Sequence, residues 1–447
     1  MKRIISLLGL LVLGATWGCY SKGDKGLEFS PRKTHPNVVL IMADDLGYND
    51  LGCYGSTTIK TPNIDLLARF GTRLTDYHSN GVVCSPTRAS LMTGLYPQEA
   101  GVEGVVTAKS HREQGMNPKK FTLAEYLKDS GYATALFGKW HLGYQPEFGP
   151  NVQGFDYFSG FVSGNIDYFS HIDQEGNEDW WTNQELQKNT GYLTEIIANN
   201  AIEYLEKKEN RKPFFLYLAH GAPHYPYQGP GDKADRAVGG DFPIQGSRED
   251  RNSAYKEMTE ALDESVGSVM DYLEKNDMAK NTLVIFCSDN GSTRNVGSNA
   301  PFSGYKNQVY EGGHRVPAIF FWKDKIQPQV SDQLVMSMDL FPTIASLLDL
   351  EAPVGLSGKD LSGIFQEGKS VAETPDRTVF WRFKNQDAAR KGKWKLVRID
   401  GEEKLYDLST DIQESMDVKE EFPDIFQDLN NAYRVWESSL NEELIIF

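Results

Sequence analysis

The sequence predicts an α/β fold built on a large, mainly parallel sheet flanked by helices. Four short runs of continuous apolar, β-rich residues are typical of buried parallel strands, and they lie at 37–42, 132–137, 213–218 and 282–287. Amphipathic segments with helical spacing alternate with these runs, and they lie at 61–71, 121–130, 190–208 and 254–276. Because strands and helices alternate along the chain, we expect helices to cover the sheet.

The length predicts a second, smaller unit. A chain of 447 residues exceeds the size at which one hydrophobic core stops growing. We therefore expect a catalytic domain over 37–355 and a C-terminal subdomain over 356–447. Three short strand-like runs at 378–383, 394–399 and 404–408, followed by a helical pattern at 425–440, predict an α+β subdomain with an antiparallel sheet.

Composition limits the kinds of partner. The formal net charge is −16, with 62 Asp and Glu against 46 Lys and Arg. This excess argues against nucleic acid as a partner, because nothing in the overall charge offsets phosphate repulsion. An anionic substrate would have to meet a local positive pocket.

The first 36 residues predict export. Lys2 and Arg3 precede a short apolar run, so 1–18 has the form of a signal peptide, and 19–36 is a polar tether. The residues before Cys19 resemble a bacterial lipobox, in which the cysteine is lipidated after cleavage. We therefore expect a periplasmic protein or an outer-membrane-tethered lipoprotein, with membrane attachment through Cys19.

Polar residues follow each of the predicted buried strands. In chain order these are Asp44 and Asp45, Lys139 and His141, His220 and His224, and Asp289 and Asn290. The carboxyl ends of parallel strands share one edge of a sheet, and ligands bind there. The oxygen ligands suit Ca²⁺ or Mg²⁺ far better than zinc. Taken alone, an Asp-Asp pair is about as often a solvated turn, so the convergence of all these residues carries the prediction.

The stretch from 81 to 94 predicts a short helix with a reactive residue at its mouth. Pro86 suits the first turn, Ser85 can cap it, and Gly94 ends it. Cys84 then lies at the helix N-terminus, where open amides favour negative charge, with Arg88 four residues later. A lone cysteine is more often a small buried hydrophobe than a nucleophile, so the surrounding pattern has to decide.

The pattern CSPTRASLMTG from Cys84 to Gly94 resembles the signature of type I sulfatases, Cys-x-Pro-Ser-Arg with a Leu-Thr-Gly tail. Thr87 stands where the family usually has serine, and it keeps the hydroxyl. Further stretches look like motifs of that family in the family's order: Asp44-Asp45, GKWHLG at 138–143, Pro223-His224, SDNG at 288–291, and Lys306 ahead of YEGGHRVP at 310–317. The resemblance spans about 37 to about 407 and implies an alkaline-phosphatase-like fold.

The resemblance implies a cofactor made from the chain itself. In that family a maturation enzyme oxidises the signature cysteine, here Cys84, to formylglycine. By the same resemblance, Ca²⁺, or alternatively Mg²⁺, is held by the modified Cys84 together with Asp44, Asp45, Asp289 and Asn290.

Roles for the remaining polar residues also follow from the resemblance. Arg88 and Lys139 would steady the hydrated aldehyde, and His141 would be the base that breaks the covalent intermediate. His224 and Lys306 would grip the sulfate, one of them helping to protonate the leaving alcohol. The implied activity is hydrolysis of sulfate esters.

The substrate is expected to be a sulfated saccharide, of galactose or N-acetylgalactosamine type. The segment 151–183 is rich in aromatics and amides without clear periodicity, and we interpret it as an irregular insertion over the active face. Substrate contacts are predicted at Asp167, His171, Arg382 and Arg390. Two alternatives stay open: a phosphate or phosphonate ester hydrolase of the same superfamily, and a protein that binds sulfated glycans without turnover.

Overall fold

The computed structural model describes residues 35–208, 212–365 and 377–440. The predicted signal peptide, Cys19 and nearly all of the predicted tether lie outside the described residues. Within the described ranges, no helix combines the length and the apolar character that crossing a bilayer requires.

The described strands fall into one large sheet, one two-stranded pair and one C-terminal sheet. In chain order they are β1 (Asn37–Ala43), β2 (Thr72–Leu74), β3 (Tyr77–His78), β4 (Ala133–Lys139), β5 (Tyr157–Phe161), β6 (Trp181–Thr182), β7 (Glu185–Leu186), β8 (Phe214–Ala219), β9 (Thr282–Ser288), β10 (Ala318–Phe321), β11 (Gln329–Ser331), β12 (Val335–Met336), β13 (Thr378–Phe383), β14 (Gln386–Lys391), β15 (Trp394–Ile399) and β16 (Glu402–Asp407).

The large sheet has the order β11-β2-β10-β9-β1-β8-β4-β5-β6-β7. Its centre, from β9 to β5, is entirely parallel, whereas β10 runs antiparallel to both of its neighbours. Val39 of β1 lies between Leu216 of β8 and Val284 of β9. The four predicted buried strands therefore stand side by side, and their carboxyl ends meet at one edge.

The described ranges contain ten α-helices, and several of them cover the two faces of this sheet. In chain order they are α1 (Pro62–Phe70), α2 (Cys84–Thr93), α3 (Pro97–Ala100), α4 (Ala108–His111), α5 (Leu123–Asp129), α6 (Leu193–Lys207), α7 (Arg251–Lys275), α8 (Glu311–His314), α9 (Leu340–Leu347) and α10 (Pro423–Ser439).

Side chains of β1 alternate between two cores. Val38 and Leu40 pack in the core that includes residues of α2, α5 and α9, and Val39 and Ile41 pack in the core that includes residues of α1, α6 and α7. This alternation is the period of two expected of a strand buried on both faces. The predicted α/β class with a mainly parallel sheet is confirmed.

The C-terminal sheet is an antiparallel meander, β13-β14-β15-β16, packed against α10. The predicted antiparallel sheet and C-terminal helix are confirmed, but the sequence analysis missed β14. That strand reads QDAARK, and its charged residues lack the apolar pattern that predicts a strand. In the fold, Asp387 and Arg390 form ion pairs rather than facing solvent.

Part of the predicted insertion belongs to the sheet. The segment 151–183 was expected to be irregular, yet it contains β5 and β6, and β5 pairs with β4 in parallel. The interpretation as a wholly irregular insertion was therefore wrong. β5 reads YFSGF, where a glycine interrupts the apolar run, and Gly160 packs against the backbone of Gly138 with no room for a Cβ.

Candidate active site

Helix α2 begins at Cys84 itself. Val83 is the N-cap and supplies no side-chain bond, whereas the Ser85 hydroxyl accepts a hydrogen bond from the Val106 amide at 3.1 Å. The predicted Ser85 cap was therefore wrong, and Ser85 ties the helix to a neighbouring loop instead. Gly94 ends the helix with φ of 68°, as predicted. Cys84 thus sits in the first turn, next to the unpaired amides of the helix.

The carboxyl ends of β1 and β9 bring three carboxylates together beside Cys84. Oδ1 of Asp44 lies 3.2 Å from the Cys84 sulfur, and Oδ1 of Asp45 lies 4.0 Å from it. The Asp45 amide donates to Oδ1 of Asp289 at 3.1 Å, and Asn290 donates its amide nitrogen to Oδ1 of Asp45 at 2.7 Å. All five of these residues are buried.

Three cations neutralise these three carboxylates. Lys139 lies 2.7 Å from Asp44, and Arg88 lies 2.9 Å from Asp289. The Lys306 ammonium lies 2.6 Å from Oδ1 of Asp45 and 3.3 Å from the Cys84 sulfur. Burial opposes the charge of Lys306, but the neighbouring carboxylate of Asp45 raises its pKa well above the ordinary value, so the ammonium stays protonated.

Two buried oxygen atoms in this cluster fit a divalent cation. Oδ2 of Asp45 and Oδ1 of Asn290 accept no hydrogen bond from any described residue. Ligand atoms of Asp44, Asp45, Cys84 and His224 all lie within 4.8 Å of one another. Buried acceptors normally have partners, and clustered carboxylate and amide oxygens are the ligands that hard cations prefer. The donor set therefore suits a cation of the Ca²⁺ or Mg²⁺ type.

The surroundings hold Cys84 as a neutral thiol. Burial raises the pKa of the Cys84 thiol far above its ordinary value, and the Asp44 carboxylate raises it further against the attraction of Lys139 and Lys306. Only the thiolate is a strong nucleophile. An unmodified Cys84 is therefore poorly prepared for attack despite its position at the helix mouth.

His141 presents one ring nitrogen as a base. Its Nε2 lies 3.0 Å from the Val106 carbonyl oxygen and donates to it, whereas Nδ1 has no partner among the described residues. This pairing assigns the proton to Nε2. Burial and the nearby cations Lys139 and Arg88 lower the pKa of His141 well below its ordinary value, so the ring is neutral. Gly164 permits this position, because a Cβ there would come within 2.8 Å of Nε2.

His224 is oriented by its own loop. Its Nδ1 donates to the Tyr225 carbonyl oxygen at 2.6 Å, and its Nε2 lies 3.6 Å from Oδ2 of Asp45. Burial lowers the pKa of His224 well below its ordinary value. His220, after the same strand, instead contacts Ser265 at 3.4 Å and does not line the cavity described next.

The cluster forms the floor of an open cavity of about 430 Å³. Cys84, His141, His224 and Lys306 line it, and the carboxylates with Arg88 and Lys139 lie beneath them. Two site residues adopt left-handed backbone conformations that side chains rarely take, Asp45 with φ of 63° and His141 with φ of 61°. Such strain is typical of residues that the surrounding fold forces into a functional position.

Known proteins match this chain in sequence over most of its length. A family profile described as Sulfatase matches residues 36–350. N-acetylgalactosamine-6-sulfatase of Homo sapiens is 32% identical over 387 residues, covering 80% of this chain and 70% of that protein. Arylsulfatase A of Homo sapiens is 33% identical over 400 residues, covering 80% of this chain and 74% of that protein.

The chain belongs to the sulfatase family. It is a sulfuric ester hydrolase, and the resemblance noted in the sequence is confirmed. Among solved structures, that of Ps i-CgsB in complex with k-i-k-neocarrahexaose superposes with a TM-score of 0.82 at 29% identity, covering 93% of this chain and 95% of that one.

In this sulfatase, the structure does not bring the four predicted substrate contacts to the cavity. Asp167 is fully buried and accepts backbone hydrogen bonds from Phe169, Ser170, Asp235 and Arg236, so it orders its own loop. His171 is also buried, with its ring 5.3 Å from that of Trp180. Neither residue lines the cavity, because aromatic and polar residues in a loop can equally serve its internal packing.

The two C-terminal arginines of the sulfatase, Arg382 and Arg390, likewise form ion pairs away from the cavity. Arg382 pairs with Glu103 at 2.7 Å and with Glu437 at 3.3 Å. Arg390 is buried and pairs with Asp76 at 2.7 Å, and it lines a separate cavity. Neither arginine lines the cavity at Cys84, because a carboxylate that lies far away in the sequence already pairs with each guanidinium.

Several cavity residues of the sulfatase had been missed. The insertion does reach the cavity, but through Asn165 and Gln174 rather than the predicted pair. Tyr225 and Tyr227 also line it, and their nearness to His224 in sequence was a usable signal. Thr293, Arg294 and Asn307 adjoin the stretch SDNG and Lys306 and carried the same signal. Gln245 and Arg251 came from polar segments that carried no motif.

Proposed function

We propose that this sulfatase hydrolyses sulfate esters of a saccharide of galactose or N-acetylgalactosamine type, using a formylglycine made from Cys84 and a Ca²⁺ ion. The observation that carries the proposal is the charge-balanced cluster beneath Cys84, with two unpartnered oxygens, at the floor of an open cavity. The unreactive state of the thiol also supports conversion of Cys84, because the residue in its unmodified form gains little nucleophilicity from its position.

The saccharide assignment rests on the cavity wall and on the relatives. Amide side chains of Asn165 and Gln174 and the rings of Tyr225 and Tyr227 line the cavity. Such groups suit sugar hydroxyls and sugar faces, and 430 Å³ is within the usual range of small-ligand sites. The relatives include a protein named N-acetylgalactosamine-6-sulfatase and one solved with a neocarrahexaose.

Asp44, Asp45, Asp289 and Asn290, with residue 84, would hold the Ca²⁺ ion, and Mg²⁺ would suit the same oxygen ligands. When present, the ion offsets negative charge and the formylglycine supplies an oxygen nucleophile in place of the thiol. Arg88 and Lys139 orient the carboxylates Asp289 and Asp44 through direct ion pairs.

Lys306 and His224 have different roles toward the sulfate group. The Lys306 ammonium lines the cavity 3.3 Å from the sulfur of Cys84, so it can donate to a sulfate oxygen or to the leaving alcohol. Neutral His224 donates from Nδ1 to Tyr225 and carries no proton on Nε2. We therefore assign proton donation to Lys306. His224 can donate to a sulfate oxygen only when its ring is also protonated at Nε2, a state that the negative charge of a bound sulfate ester favours.

His141 is assigned as the general base. A base must be neutral and must present an unpaired nitrogen to the reacting group. The hydrogen bond from Nε2 to Val106 leaves Nδ1 available, and the depressed pKa keeps the ring neutral at physiological pH. Its position on the cavity wall allows it to accept a proton from the nucleophile side.

The test combines intact-mass measurement with turnover. The protein is produced with a maturation enzyme, and sulfate release is measured from 4-nitrophenyl sulfate and from a panel of defined sulfated saccharides. We expect the mass change from cysteine to formylglycine, and loss of activity in Cys84→Ala and Cys84→Ser with unchanged thermal unfolding. Cys53→Ala is the matched control, because Cys53 is a free cysteine outside the cavity.

Three results would contradict the proposal. Full activity of Cys84→Ala would exclude Cys84 as the source of the nucleophile. Faster hydrolysis of matched phosphate esters would favour a phosphorus substrate. Tight binding of a sulfated saccharide by unmodified protein without turnover would indicate a binding protein.

A further inference from the structure

The wall of the active-site cavity is positively charged in an acidic protein. Within the described ranges, no Asp or Glu side chain lines the cavity, although the chain contains 62 of them. The lining carries three permanently charged side chains, and all are cations: Lys306, Arg251 and Arg294. An anionic ligand is therefore favoured along the wall as well as at the floor.

Only the floor cation is neutralised by the protein. Lys306 is paired with Asp45 at 2.6 Å. Arg251 and Arg294 are exposed, and neither side chain makes an ion pair or hydrogen bond with a residue that the structure describes. The guanidinium of Arg294 lies over the ring of Tyr305, 5.8 Å from the ring centroid.

A nearby arginine shows the contrast. Arg248 lies three residues before Arg251 and pairs with Asp232 at 2.9 Å and with Glu257 at 2.6 Å. Carboxylates are thus available around the start of α7, but none of them reaches the cavity side, where Arg251 lies. No residue that the structure describes pairs with the two guanidinium groups on the wall, which leaves them available to a ligand.

The segments that carry Arg251 and Arg294 are hydrogen-bonded to each other. Arg251 is the first residue of α7, and Arg294 lies in the loop after β9. Asn252 donates its side-chain amide to the Asn295 carbonyl at 3.2 Å and accepts from the Gly297 amide at 3.3 Å. Because Asn252 and Asn295 adjoin the two arginines, these bonds hold together the two backbone segments from which Arg251 and Arg294 reach the cavity.

We propose that Arg251 and Arg294 form a second anion subsite, which binds a sulfate or carboxylate of the substrate other than the ester that is cleaved. The inference rests on the proposed function. A sugar whose scissile sulfate lies at Cys84 extends along the cavity wall, and guanidinium groups bind tetrahedral and planar anions through two hydrogen bonds. The preferred substrate class is therefore a multiply charged saccharide.

The experiment compares substrates that differ by one charge. Three oligosaccharides carry the same hydrolysable sulfate ester, and the neighbouring sugar bears no further charge, a second sulfate, or a carboxylate. The ratio of kcat/KM for a doubly charged to the singly charged member is measured for wild type, Arg251→Gln, Arg294→Gln and the double variant. Arg434→Gln is the matched control, because Arg434 is exposed on α10 and does not line the cavity.

We expect each single variant to lower this ratio by about tenfold and the double variant to lower it further. Arg434→Gln should keep the wild-type ratio, and added salt should lower the wild-type ratio because exposed charges are screened. Whichever doubly charged member gives the larger ratio in wild type identifies the anion as sulfate or carboxylate. As a readout without turnover, Cys84→Ala should bind that member more weakly when both arginines are replaced.

An unchanged ratio in the double variant, with unchanged affinity in the Cys84→Ala background, would overturn the subsite while leaving the proposed function intact. Absence of sulfate release from all three oligosaccharides and from 4-nitrophenyl sulfate by the matured wild type would instead contradict the proposed function, and the subsite with it.

Discussion

Lys306 and Asp45 form a buried ion pair, 2.6 Å between Nζ and Oδ1, directly beside the Cys84 sulfur. The ammonium is the only cation of the floor that both contacts residue 84 and lines the cavity among the described residues. The pair therefore links the oxygen ligands of the proposed metal site to the place where substrate must bind.

Replacing Lys306 by methionine should reduce kcat/KM for 4-nitrophenyl sulfate by at least about a hundredfold. The change removes a preorganised donor that acts where charge develops, while keeping most of the length of the side chain. Lys275→Met, at an exposed position of α7, should keep full activity. A wild-type rate in Lys306→Met, with the fold intact by circular dichroism, would contradict the role in proton donation.

Removing one carboxylate from the floor should weaken metal binding. We expect Asp45→Asn and Asp289→Asn each to lower Ca²⁺ affinity by more than about tenfold, because each removes a negative ligand from the site. Isothermal titration calorimetry after chelation measures the affinity, and re-addition of Ca²⁺ should restore the rate of wild type. Asp428→Asn, exposed on α10, is the control. Equal Ca²⁺ affinity in all four proteins would contradict the proposed ligands.

Arg390 should matter for stability rather than for substrate binding. It joins the C-terminal sheet to Asp76, which precedes β3, and lies 3.3 Å from Glu311. Burial opposes the charge of Asp76, but Arg390 and Arg315 hold the pKa of Asp76 well below its ordinary value. Arg390→Ala removes a cation that neutralises the buried Asp76 carboxylate, so the free energy of unfolding should fall by about 3 kcal/mol.

Urea unfolding measures this loss, and Arg434→Ala should change the free energy of unfolding by less than about 0.5 kcal/mol. If Arg390 instead contacted substrate, Arg390→Ala would keep its stability and lose kcat/KM.

Asp50 should make stability fall as pH rises. Burial raises its pKa from 3.8 to about 6, against hydrogen bonds from Tyr255, Ser298 and Gly47. A carboxyl whose pKa is raised on folding stabilises the folded state below its unfolded pKa, and this contribution is lost as pH rises through the folded value. Between about pH 4.5 and about pH 7.5, the free energy of unfolding of wild type should therefore fall by about 2 kcal/mol relative to that of Asp50→Asn.

Urea unfolding at each pH gives the difference in the free energy of unfolding between wild type and Asp50→Asn. The contributions of all other titrating groups cancel in this difference. A difference that stays constant across this range would show that the pKa of Asp50 is unchanged on folding.

The sequence by itself determined the sheet class and the floor of the site. Buried parallel strands are local apolar runs, and a polar residue directly after such a run must lie at the ligand-binding edge. Asp44, Lys139 and Asp289 could therefore be assigned from their positions after strands, and Cys84 from its motif. These signals are local, because each depends on residues that adjoin one strand or one helix.

Only the tertiary structure decided what forms the cavity wall. Arg390 and Arg251 are each single arginines in polar segments, and nothing local distinguishes them. Arg390 meets Asp76, more than 300 residues earlier in the chain, and its charge is neutralised within the fold. Arg251 meets no carboxylate of the described ranges and lines the cavity. The use of a charged side chain depends on which distant group the fold brings to it, and local pattern does not contain that information.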